Sequence, residues 1–186
     1  MRTFLRTSLA ALALASALPV PANDGTAGAP VSGDAEAIAV LSAVNDHEVQ
    51  AARIAKGKQI DPEVMAYADK MSREHGTNQR ETEQLKQAAS LVASETDAVR
   101  ALKQKSDAER AKLAAIDGKA FQAAYMDAMV KDHAEVLNKL DKELLPAAKD
   151  PAIAAHLRKT REHVAHHLEE ARRIDGQLQA QADADD

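Results

Sequence analysis

The sequence predicts an all-α four-helix bundle, on three observations. Ala (41 of 186 residues), Leu, Glu, Lys, Gln and Arg dominate, and these are the strong helix formers; aromatic strand formers shrink to two Phe and two Tyr, with no Trp. Asp61-Pro62 and Asp150-Pro151 each supply an N-cap followed by proline at the first helical position. Apolar residues recur at three- and four-residue steps along four long stretches. The hydrophobic share of 45% is that of an ordinary soluble domain and argues against global disorder.

The chain opens with Arg2 and Arg6 ahead of an apolar run from Ser8 to Val20, the pattern of a secretory signal peptide over residues 1–22. The run is too short for a stable membrane span, which takes about 20 apolar residues. Cleavage is expected after Ala22, with Ala17 as the alternative, and no integral membrane segment follows it. Residues 23–33 are small and rich in Gly and Pro, a flexible linker.

The bundle domain is expected over 34–178. Its first helix runs from Asp34 to about Gly57, with Ile38, Leu41, Val44/Asn45, Glu48, Ala52 and Ala55 in phase. A second runs from the Asp61-Pro62 start to about Ala93 with the stripe Val64, Ala68, Met71, His75, Asn78, Thr82 and Leu85. A helical crossover follows, in which Ser94–Asp97 and Ser106–Glu109 both fit the S-x-x-[DE] start signature. Gly118 separates it from a third helix, Lys119 to about Leu145, carrying Phe121, Tyr125, Met129, His133, Leu137 and Leu140, and Pro146 stops that helix. The fourth spans Pro151 to about Gly176 with Ile153, Leu157, Thr160, Val164, His167, Ala171, Ile174 and Leu178 in phase. Residues 179–186 read as a disordered acidic tail. Gly76, in mid-helix, marks a kink or a close backbone approach, since glycine there costs about 1 kcal/mol against Ala. Two antiparallel hairpins joined by a long, partly helical crossover describe a ferritin-like four-helix bundle.

Composition excludes several functions. With no Cys there is no disulfide, thiolate zinc site, iron–sulfur cluster or acylated lipoprotein Cys. A formal charge of −5 with four aromatic residues argues against a nucleic-acid partner. No phosphate loop, nucleophile elbow or hydrolase carboxylate pair is visible. The residues three positions before the seven histidines are Val44, Ser72, Val130, Ile153, Thr160, His163 and Val164, so the Glu-x-x-His of di-iron bundles is missing. The chain is therefore read as a non-enzyme.

One motif occurs twice. Residues 67–75 (YADKMSREH) and 125–133 (YMDAMVKDH) both fit Y-x-D-x-M-x-x-[DE]-H without a gap. Tyr67, Met71 and His75 stack on one helix face, as do Tyr125, Met129 and His133. Residues equidistant from a hairpin turn lie at one height, which levels Glu48 with His75 and His133 with His167. Those four side chains form a candidate ligand set for one Zn, Cu or Fe ion. The competing reading is a metal-free hydrogen-bonded layer that fixes helix register. The methionines read as core filler before copper ligands, and the tyrosines as core residues with a hydroxyl partner. Asp69, Glu74, Asp127 and Asp132 face solvent or orient a neighbouring His. On the last helix His156, His163, His166 and His167 form a solvated His-rich face, in which His163 and His167 at i, i+4 are a weaker chelating pair.

Glu48, M-x-x-E-H at 71–75, F-x-x-x-Y-M-x-x-M-V-K-D-H at 121–133 and H-L-E at 167–169 resemble the bacterial family called domain of unknown function 4142, over about residues 36–175. The resemblance implies a ferritin-like bundle in the cell envelope and no assigned activity. The chain has Glu74 where that family more often has Asp, and Glu162 where Pro is common. Two functions stay open: a periplasmic metal-binding protein, or a metal-free envelope stress or interaction module with an envelope protein partner.

Overall fold

The computed structural model describes residues 33–92 and 94–185, and among them the regular structure is helical throughout. The leader and all of the linker but Gly33 lie outside the described residues. Five helices are formed: α1 (Asp34–Lys56), α2 (Pro62–Ala88), α3 (Asp97–Ala114), α4 (Gly118–Lys139) and α5 (Pro151–Asp185). Helix α4 continues through a π-helical turn, Leu140–Leu144, into a last α-turn, Leu145–Ala147.

Both Asp-Pro starts form as expected. The Asp61 carboxylate accepts from the Glu63 N–H at 2.7 Å, and Asp150 accepts from the Ala152 N–H at 2.7 Å. Neither serine signature starts the crossover helix. Thr96 caps α3 by accepting from the Val99 N–H, and its hydroxyl donates to Glu36 on α1 at 2.7 Å, so a tertiary contact selects the start. Ser106 is buried inside α3.

Three ends differ from the sequence reading. Helix α2 stops at Ala88 because Ser90 turns left-handed (φ 52°), the Leu91 N–H bonding back to the Lys86 carbonyl at 2.9 Å and Ser90 N–H to Gln87 at 3.0 Å. Pro146 sits inside the final turn of α4, directly after a wider π-helical turn in which the Leu145 N–H bonds the Leu140 carbonyl. Helix α5 passes Gly176 and includes most of the expected disordered tail. Ala and Gln sustain it, and Leu178 still packs on the core.

Helices α1 and α2 form one antiparallel hairpin, α4 and α5 the other, and α2 packs on α5. The crossover helix α3 lies along α1 and reaches α4. It brings Asp117 back to Lys58 at 2.7 Å, while Asp34 accepts from the Lys149 and Asp150 N–H groups at the opposite end. The core is divided in two. One apolar cluster holds Val64, Tyr67, Met71, Phe121, Tyr125, Met129 and Ile174, and the other Ile38, Leu41, Leu140, Leu144, Ile153 and Leu157. Between them runs a buried polar layer: Asn45, Glu48, His75, Asn78, His133, Thr160 and His167.

Candidate metal centre

Helical periodicity sends His75 from α2, His133 from α4 and His167 from α5 into that layer. They are 4%, 1% and 2% exposed. Each offers a ring nitrogen, and the three nitrogens lie within 4.8 Å of one another. Ring centroids are separated by 5.2–5.6 Å.

The outer nitrogen of each ring is committed to an acceptor. His75 Nδ1 donates to Asn45 Oδ1 at 2.9 Å, His133 Nδ1 to the Met129 carbonyl at 2.8 Å, and His167 Nε2 to Glu74 Oε2 at 2.8 Å. A neutral imidazole that donates from one nitrogen presents a lone pair at the other. The inward atoms, His75 Nε2, His133 Nε2 and His167 Nδ1, have no hydrogen-bond partner among the described residues. Asn45 is itself fixed, its Nδ2 donating to Asn78 Oδ1 at 2.7 Å and Asn78 Nδ2 to Thr160 Oγ1 at 2.7 Å.

Electrostatics keep the rings neutral. Burial drives the pKa of His75 well below the ordinary value, helped by His133 and His167. Burial also takes His133 down to about 4, and takes His167 to about 4 against the opposing Glu74. Three unprotonated nitrogens converging in a buried layer are a first coordination shell for a borderline metal ion.

Glu48 joins this layer differently from the equidistance argument. Asn45, not Glu48, faces His75. Glu48 Oε1 lies 3.8 Å from His133 Nδ1, on the far side of that ring from its inward nitrogen, and Oε2 has no partner among the described residues. Burial pushes its pKa up to about 8, so at neutral pH the carboxyl is largely protonated. Met71 and Met129 lie in the apolar cluster, one turn from their histidines. The Tyr67 hydroxyl donates to the His167 carbonyl at 3.3 Å; the buried Tyr125 hydroxyl has no partner among the described residues.

The His-rich face divides. His163 and His166 are exposed, whereas His156 is buried against the Thr82 hydroxyl at 2.9 Å. His163 and His167 differ in burial: His163 stays at the surface while His167 turns inward. The acidic residues of the repeated motif divide too. Asp69 and Asp127 pair with Lys56 and Lys131. Glu74 and Asp132, each just before an inward histidine, hold a histidine of another helix: His167 for Glu74 and His47 for Asp132.

No motif or apolar stripe in the sequence marks His47. Its Nε2 lies 3.2 Å from Asp132 and 3.3 Å from Glu109, which belongs to α3. Burial alone would lower its pKa, but the two carboxylates, with Glu48, raise it to about 9, while Arg110 approaches Nδ1 at 3.1 Å from the other side. This trio also clusters within 4.8 Å. With a proton on Nε2, His47 donates toward the two carboxylates and ties α3 to α1 and α4. An acidic residue beside an inward histidine in both motif copies was the available signal.

A solved structure described as a secreted DUF305 protein of Streptomyces coelicolor has the same fold (TM-score 0.65, 14% identity, 80% of this chain and 95% of that one). No curated protein matches the sequence. Among the described residues no helix is long and apolar enough to cross a membrane. The family described as Domain of unknown function (DUF4142) matches residues 19–174, and the chain belongs to it.

Proposed function

We propose that this member of the family is an exported, periplasmic protein that holds one transition-metal ion, Zn, Cu or Fe, on His75 Nε2, His133 Nε2 and His167 Nδ1. One observation carries the reading: all three inward nitrogens lack hydrogen-bond partners while all three outer nitrogens donate to acceptors. Without an ion or a bound water among them, the three buried acceptors would stay unsatisfied, at roughly 1–3 kcal/mol each. Outer-nitrogen acceptors of this kind fix ring tautomers and raise ligand basicity around metals. Glu48 is the counter-charge. An ion's field lowers the pKa of a nearby carboxyl and draws off its proton, which offsets part of the cost of burying a dication.

The burial of the trio supports sequestration or delivery of the ion over turnover of a substrate. The test is metal analysis of the mature protein, purified without a His-tag, beside a His75→Ala/His133→Ala variant. One equivalent of metal in the wild type and none in the variant is the expected result. No metal in either, with melting unchanged by added Zn, Cu or Fe, would return the layer to a purely structural role.

A further inference from the structure

A buried trio must be reached, and approaches to it lie on two sides of the described residues. On the α3 side a cavity of about 30 Å³ touches Glu48 but none of the three histidines, and Lys105 and Lys139 line it. On the α2/α5 side a crevice of about 10 Å³, roughly one water-sized sphere, is lined by Glu74, His75, Asn78, Thr160, His163 and His167. It therefore touches two of the three ligands.

Two open hollows flank this crevice at the surface, one of about 650 Å³ and one of about 200 Å³. Glu74 and His163 line both hollows and the crevice. His163 is exposed, and the Glu74 side chain is 31% exposed while Oε2 accepts from buried His167. Glu74 thus reaches from solvent to the back of a ligand.

We propose that Glu74 and His163 form an outer relay site, a carboxylate and an imidazole, where a divalent cation loses part of its hydration before passing to His167 and the trio. The inference rests on the metal-binding reading above and adds a route to it. The repeated motif marks Glu74 as the acidic position before His75, and His163 stands one turn before His167 on the last helix, yet neither belongs to the trio.

The experiment is stopped-flow mixing of the mature protein with Co²⁺, following the visible absorption of cobalt in an imidazole site, together with an equilibrium titration. His163→Ala is expected to slow loading and release together by ten-fold or more, with the dissociation constant within about three-fold of wild type, since a relay residue lowers a barrier from both sides. Glu74→Gln is expected to slow loading as well, and Lys105→Ala on the α3 side to leave it unchanged. Loading of His163→Ala at the wild-type rate would overturn the relay. So would a loss of affinity expressed in release alone, which would make His163 a ligand, or slowing by Lys105→Ala, which would move the route to α3. Wild-type protein that takes up no Co²⁺ would instead remove the metal reading itself, and the relay with it.

Discussion

Each ring of the trio is aligned from behind. The Met129 carbonyl, the Asn45 amide and the Glu74 carboxylate fix which nitrogen carries the proton, and burial keeps the second proton off. Asn45 is the most informative of these supports because its only role toward the trio passes through His75. Asn45→Leu keeps the branched shape but removes the acceptor, and metal affinity should fall by about 10–100-fold, read by competition with a chromophoric chelator. Unchanged affinity would mean that His75 is oriented by packing alone. The inward histidines were legible in sequence because they stand in phase with apolar stripes. Asn45, Asn78 and Thr160 stand on the same stripes, but their partners lie on other helices, and no spacing within one chain segment specifies an amide relay across three of them. His47 and Glu109 were illegible for the same reason: their meeting depends on where α3 lies.

Helix ends were read well where a side chain caps its own backbone, as at Asp61 and Asp150, and poorly where tertiary contact or backbone geometry decides, as at Thr96, Ser90 and Pro146. Gly76 belongs to this scale. Helix α2 continues through it, and a Cβ there would meet Arg80 Nη1 at 3.9 Å and Val49 Cγ2 at 4.0 Å, ordinary contact distances. No close backbone approach requires glycine. Gly76→Ala should therefore stabilise the protein by about 1 kcal/mol, through helix propensity and a less flexible unfolded chain, seen as a higher urea midpoint at constant m. A lower midpoint would show that the helix needs freedom next to His75.

For the molecule as a whole, two apolar clusters are joined by one titratable layer, and pH acts on that layer from both sides. Below about pH 6.5 the unfolded chain takes up histidine protons that the buried rings refuse, His133 and His167 down to about 4, so stability falls with falling pH, by about 1.4 kcal/mol per unit for each histidine. Glu48, pushed up to about 8, keeps a proton that the unfolded chain releases near 4.5, so it contributes stability that is lost as pH rises through that window. His47, raised to about 9, acts in the same direction from about 6.5 upward. Three groups outweigh one below pH 6.5, and above it only the opposing pair remains. Metal-free protein should thus be most stable near about pH 6.5 in denaturant titrations across pH 4–9, and bound metal should move that maximum upward by holding Glu48 ionised. A flat profile would contradict the buried charge states assigned to the layer.

The central claim is that three bare nitrogens face one another before any ion arrives. Histidine-ring ¹⁵N chemical shifts of the metal-free protein at pH 7, repeated with one equivalent of Zn²⁺, test it most directly. The account predicts neutral rings protonated on Nδ1 in His75 and His133 and on Nε2 in His167, with zinc shifting the three unprotonated nitrogens, His75 Nε2, His133 Nε2 and His167 Nδ1. A proton on any of those inward atoms in the free protein, or ring shifts unmoved by zinc, would contradict it.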